Sequence, residues 1–135
     1  MKQTKKGIMN GIEDVAKSRV VAPNTVEYFK RDGTRVIRLH NTDILIFTPD
    51  GKITLNSSGW YTQTTKSRLN TFLPPNLRIT QQKGLWYLHF NNQSYLFKDG
   101  MQILKNNKII GAENLIELKK LRNEKNKLKN TSMDT

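Results

Sequence analysis

At 135 residues and without a single cysteine, the chain has the size of one domain and excludes a disulfide scaffold or a thiolate metal site. Its 23 Lys and Arg against 11 Asp and Glu give a formal net charge of +12, a field that draws polyanions: nucleic acid first, with acidic proteins and membrane surfaces as the other candidates. No apolar run has bilayer length and none follows the first lysines, so the sequence leads us to expect a cytoplasmic protein rather than a membrane-spanning or secreted one.

Residues 1–24 form a basic opening with Lys2, Lys5 and Lys6. Ile8, Ile12, Val15 and Ala16 fall at helical spacing, which predicts a short helix over about 8–19. Gly7 and Gly11 weaken that helix and Pro23 stops it, so a flexible basic arm is the alternative.

From Thr25 the pattern changes to period two, and 25–110 reads as a β-rich core domain with an inserted helix. Asp32-Gly33 and Asp50-Gly51 sit between alternating runs, a strong hairpin signal because both turn residues tolerate positive φ. Strands are expected near 25–31, 34–40, 43–48 and 52–56. A central helix is expected over 63–73, ended by Pro74-Pro75, with Thr62, Thr64 and Thr65 as candidate N-caps. Strands then resume at Leu77–Gln81, Leu85–Phe90, Tyr95–Phe97 and Met101–Leu104, as a second pair of hairpins turning at Lys83-Gly84 and Asp99-Gly100.

The stretch 112–129 reads as a basic C-terminal helix. Leu115, Leu118, Leu121 and Leu128 recur at helical steps, and the early Glu113 and Glu117 with the late Lys125, Lys127 and Lys129 suit the helix dipole. Such a stripe either docks on its own domain or supports a weak homodimer; otherwise the protein is a monomer. Residues 130–135 read as a disordered tail. The fold class expected is therefore α+β: an antiparallel sheet of hairpins, a central helix and a C-terminal helix.

The segment Leu55–Asn70, LNSSGWYTQTTKSRLN, ends one strand, turns at Gly59, presents two aromatics and starts the central helix. Together with Gly33–Ile44 it resembles a pattern in small uncharacterised bacteriophage proteins: "LNSGGW", then "TTK", then "RxN", then an aromatic "W-[YF]" strand. Trp60, Thr64, Thr65, Lys66, Arg68, Asn70, Trp86 and Tyr87 match it, while Ser58 stands where glycine is common. The resemblance spans roughly residues 30 to 97. It implies a phage or prophage origin and carries no known activity.

Function must then be read from the residues. Between Asp50 and Asp99 there is no acid, whereas Lys52, Lys66, Arg68, Arg78, Lys83 and Lys98 are all present. Most of the aromatics lie in the same interval. Cations interleaved with rings suit single-stranded nucleic acid, since phosphates meet charge and each stacked base is worth about 1–3 kcal/mol. The expected contacts to phosphate are Arg38, Lys66, Arg68 and Arg78, with Thr64 and Thr65 at the helix start and Trp60, Tyr61 and Trp86 stacking or supporting the surface. The competing reading places half of the rings in the core. Strand alternation lets only one of Trp86 and Tyr87 point inward.

His40 and Asp43 are close in sequence, but an Asx turn capped by Asp43 explains them more simply than a general base. No phosphate-cradling glycine loop, nucleophile elbow or zinc spacing occurs, so no catalytic residue, cofactor or metal is expected. The sequence thus points to a non-enzymatic binder of DNA or RNA. The alternative is a phage inhibitor of a host defence or nucleic-acid enzyme, acting through a host protein complex or by sequestering a nucleotide signal. A minor virion component is the third reading.

Overall fold

The computed structural model describes residues 5–115. In chain order they form α1 (Lys5–Ile8), β1 (Val15–Ala22), β2 (Thr25–Lys30), β3 (Arg35–Leu39), β4 (Thr42–Phe47), β5 (Ile53–Leu55), α2 (Gln63–Phe72), β6 (Leu77–Gln82), β7 (Leu85–Phe90), β8 (Gln93–Leu96), β9 (Gln102–Ile103) and β10 (Ile109–Ile110). The α+β expectation is overturned. The fold is mostly β, with two sheets, and α2 is the one element among the described residues that exceeds a single helical turn. The basic C-terminal helix expected over 112–129 is not shown, and from 116 onward it lies outside the described residues, as does the tail.

The larger sheet has seven strands in the order β1-β2-β3-β4-β5-β9-β10, and every neighbouring pair is antiparallel. Its centre is the expected meander, with strand ends within two residues of those read from the Asp-Gly turns. The first departure is β1. Residues 15–22 pair with β2 as an edge strand interrupted by two register shifts, instead of continuing a helix from residue 8. The apolar spacing that suggests a helix has a real cause: Ile8, Met9, Ile12 and Val15 all pack on the sheet face that carries Val26, Tyr28, Val36 and Ile46. They reach it from a helical turn, a connection and a strand, because positive φ at Gly11 and Asp14 turns the chain back.

The second departure is β9. It does not continue the β6-β7-β8 sheet but crosses to pair with β5, Ile53 opposite Ile103 and Thr54 opposite Gln102. That crossing brings the smaller sheet over the larger one. The two sheets share one core in which Ile37, Leu45 and Leu55 meet Leu69 of α2 and Ile79, Leu88 and Phe90 of the smaller sheet. Each fully buried aliphatic side chain here contributes about 1.5–3 kcal/mol. The alternation of β7 resolves the Trp86–Tyr87 question: Trp86 is buried and Tyr87 takes the opposite, half-buried face.

Two polar clusters pin the larger sheet. Glu27, buried, accepts from Arg19 Nε and Arg35 Nε, both at 2.7 Å. Burial acts to raise its carboxyl pKa, but the hydrogen bonds and charges of Arg35 and Arg19 outweigh it and hold the group below the ordinary 4.5. On the other face, Asp43 accepts from Tyr28 Oη at 3.0 Å and from Arg38 Nη1 at 2.8 Å, while Arg38 Nε donates to the Ile8 carbonyl at 2.8 Å. Asp43 is therefore a side-chain anchor beneath α1, in place of the turn cap expected of it. Tyr28 is pushed above its usual range by burial first and by the Asp43 charge second.

Candidate nucleic-acid interface

The helix start at Thr62 is built as its hydroxyl predicts. Thr62 caps α2, accepting from Thr65 N–H at 3.1 Å, and its Oγ1 lies 3.0 Å from Thr65 Oγ1. Ahead of it, Ser57-Ser58-Gly59-Trp60 makes a tight turn closed by Trp60 N–H on the Ser57 carbonyl at 3.0 Å. Ser58 and Gly59 both have positive φ, +51° and +80°, the conformation of a type I′ turn. The Asp99 carboxylate holds this turn from the β8–β9 connection: Oδ1 accepts from Ser57 N–H and Oγ, both at 2.7 Å, and Oδ2 accepts from Gly59 N–H at 3.1 Å.

This turn sends two neighbouring rings in different directions. Tyr61 packs edge-on against the buried Trp86, centroids 4.9 Å apart, and against Phe97 at 6.0 Å. Trp60 remains 65% exposed. It stands at the wall of a cleft of about 580 Å³ that runs between the 57–68 segment and the hairpin turns of the larger sheet. The facing wall is made by Pro23 and Asn24 of the β1–β2 turn and His40, Asn41 and Thr42 of the β3–β4 turn. His40 N–H donates to the Asn24 carbonyl at 2.9 Å and so ties these two turns together.

Arg68 spans the cleft from α2. Its Nε donates to Thr25 Oγ1 at 3.0 Å and its Nη2 to the Pro23 carbonyl at 3.5 Å. Both acceptors are neutral. The ion pairs among the described residues use Arg19, Arg35 and Arg38, so the Arg68 charge has no carboxylate beside it. No acidic side chain lines the cleft among the described residues.

Of the nine residues expected at a binding surface, the cleft gathers Trp60, Thr64, Thr65 and Arg68. Thr65 does so as a buried capping partner, while Thr64 is exposed. Tyr61, 51% exposed, lies outside the cleft lining and packs edge-on against Trp86 and Phe97. The remaining four lie outside the cleft lining as well. Trp86 is 2% exposed and serves the core, not a stacking surface. Arg38 is consumed by Asp43 and the Ile8 carbonyl. Lys66 lies two positions from Arg68, about 200° around the helix, and its Nζ turns to Gln81 Oε1 at 2.9 Å. Arg78 is exposed on β6, outside the cleft lining. The sequence reading passed over Asn24, Asn41, Thr42 and Ser57. Asn24, Asn41 and Thr42 are marked only by position, in or beside the two-residue turns of consecutive hairpins, and Ser57 by its place in the LNSSGW segment.

The chain matches the family model described as Kyanoviridae Gp96 protein over residues 1–104, which includes the cleft and the whole of the larger sheet up to β9. Neither the curated proteins nor the solved structures give a match. No helix among the described residues is long and apolar enough to cross a membrane. The matched region covers most of the sequence, and the chain belongs to the Kyanoviridae Gp96 family of phage proteins.

Proposed function

We propose that this phage protein binds nucleic acid without catalysing a reaction on it, in the cytoplasm of the infected cell, through the Trp60–Arg68 cleft. The observation that carries the reading is a solvent-facing indole and a guanidinium on one cleft where, among the described residues, no acidic side chain lines the walls or pairs with that guanidinium. An indole offers a base a flat apolar surface, and a guanidinium offers phosphate a planar donor set. The chain-wide charge of +12 adds sequence-independent attraction that falls with salt. The test is a salt-titrated binding assay with single- and double-stranded DNA and RNA. Affinity for at least one of them is expected to drop steeply with added salt and to weaken in Trp60→Ala and Arg68→Ala. Equal affinity at low and high salt, with both variants unchanged, would sink the proposal.

The alternative, a protein partner in the host, draws on a different surface. Leu85 and Leu96 are 51% and 40% exposed on the outward face of the smaller sheet, where Leu96 lies opposite Tyr87. If that face is the working surface, a host protein retained after nuclease treatment is lost on Leu85→Lys or Leu96→Lys and kept in Trp60→Ala.

A further inference from the structure

The shape of the cleft goes further than a general affinity for polyanions. Resting on the binding reading above, we infer that it takes a single nucleotide unit, base against Trp60 and phosphate at Arg68. The ligand is then a free nucleotide or the phosphorylated end of a strand, and not the interior of a continuous strand.

Three observations support this. First, proteins that track continuous strands use extended basic grooves with several rings and a site of about 4–16 nucleotides. Its described lining carries one exposed indole, with the exposed His40 imidazole on the facing wall, and one arginine, a set that suits one base and one phosphate. Its volume of about 580 Å³ lies within the span typical of small-molecule sites, roughly 300–1,000 Å³.

Second, the cleft is bridged. Arg68 reaches from α2 to the Pro23 carbonyl on the facing wall and to the buried Thr25 hydroxyl beside it, so a chain entering past Trp60 meets a tie between the walls. With Nε and one N–H of Nη2 turned to those neutral acceptors, both N–H groups of Nη1 and the second of Nη2 are left for a terminal phosphate.

Third, the ring is preorganised. Asp99 fixes the Ser57–Gly59 turn with three hydrogen bonds, and the next residue, Tyr61, is locked against Trp86 and Phe97. The backbone on both sides of Trp60 is held before a ligand arrives, which lowers the ordering cost of stacking. Across the cleft, Asn41 is exposed and supplies an amide able to donate and accept at a base edge.

Tryptophan fluorescence reads the proposal directly, because Trp60 is exposed and Trp86 is buried. The probes are adenosine 5′-monophosphate, adenosine, and a short single-stranded oligodeoxynucleotide with and without a 5′-phosphate. We expect the monophosphate to quench the emission saturably and to compete with the phosphorylated oligomer. A free nucleotide as the ligand would favour the monophosphate; a strand end would favour the phosphorylated oligomer. Either outcome supports a single-unit site. Arg68→Ala should weaken the monophosphate by about tenfold or more while changing adenosine little, and Arg68→Lys should restore part of the loss. Because Arg68 also touches Thr25 and Pro23, the thermal midpoint of each variant is measured alongside, and Trp60→Leu provides a second variant that removes only an exposed ring. If the oligomer binds equally with and without its phosphate, and the monophosphate neither quenches nor competes, the single-unit site is wrong while nucleic-acid binding stands. If no probe binds at low salt, the single-unit site falls, and the nucleic-acid reading is decided by the salt titration with double-stranded DNA and RNA.

Discussion

Asn70 and Ile79 are joined as two strands would be, although one of them is on a helix. Asn70 Nδ2 donates to the Ile79 carbonyl at 2.8 Å, and Ile79 N–H donates to Asn70 Oδ1 at 2.7 Å. The side-chain amide thereby satisfies the backbone of β6, the edge strand of the smaller sheet, and fixes α2 to it. Because α2 also carries Arg68 to the larger sheet, the same helix sets the position of the cleft wall.

Asn70→Ala leaves the Ile79 donor and acceptor unpaired beneath α2, and a cost of about 2–3 kcal/mol is expected. Chemical denaturation checks it. Asn70→Asp should not recover the loss, since a carboxylate keeps the acceptor for Ile79 N–H but turns an oxygen toward the Ile79 carbonyl. Recovery by Asp would show that the carbonyl bond contributes nothing.

Ser58 is the place where the chain departs from the glycine common in the phage pattern, and it adopts φ +51° at the first central position of the Trp60 turn. A left-handed conformation costs a residue with a Cβ about 1–2 kcal/mol, against roughly 0.5–1 kcal/mol of extra entropy that glycine loses on folding. Ser58→Gly is therefore expected to be neutral to stabilising by about 1 kcal/mol. Gly59→Ala, at φ +80° with open space around the added carbon, should destabilise by strain alone. A rise and a fall in the thermal midpoint, respectively, would verify the pair.

Much of the larger sheet was legible because its turns are local chemistry: Asp-Gly supplies positive φ at known offsets, and alternation then puts Arg35 and Arg38, and likewise Trp86 and Tyr87, on opposite faces. Alternation cannot say which face is which. Trp86 went inward because the smaller sheet buries that side against α2 and the larger sheet, a consequence of β9 pairing with β5 about fifty residues earlier. A nonlocal pairing leaves no periodic mark. The helical spacing of Ile8, Ile12 and Val15 was a true shared surface served by three different elements. Arg38 misled for a similar reason: nothing adjacent in sequence announces that the Ile8 carbonyl will lie against its guanidinium.

Glu27 makes a prediction about acid. Its folded pKa is held below the ordinary 4.5. The stabilisation it provides is fully present above that ordinary value and is lost as pH falls from there through the lower folded value. Wild-type stability should decline in this window. Glu27→Gln should be less stable at neutral pH, where Arg19 and Arg35 lose their shared carboxylate, and its stability should depend less on pH below 4.5. Denaturant midpoints measured across pH 3–6 for both proteins would expose the difference as converging curves; parallel curves would show that the arginines do not hold this carboxyl down.

Two arginines that look alike in the sequence should separate by assay. Arg38 has a side chain 11% exposed, donates to Asp43 and to the Ile8 carbonyl, and so connects β3, β4 and α1. Removing it leaves Asp43 with Tyr28 as its remaining neutral donor and frees the end of α1, for a loss on the order of 2–4 kcal/mol. Arg38→Ala is accordingly expected to lower the thermal midpoint while the protein that remains folded binds nucleic acid as before. Arg68 gives up two bonds to neutral acceptors, one of them long at 3.5 Å, and its loss should cost about 1 kcal/mol of stability and most of the cleft's affinity. Thermal unfolding and low-salt binding measured on both variants decide the matter, because an affinity loss in Arg38→Ala as large as that in Arg68→Ala would move the phosphate contact away from the cleft and onto the opposite face of the larger sheet.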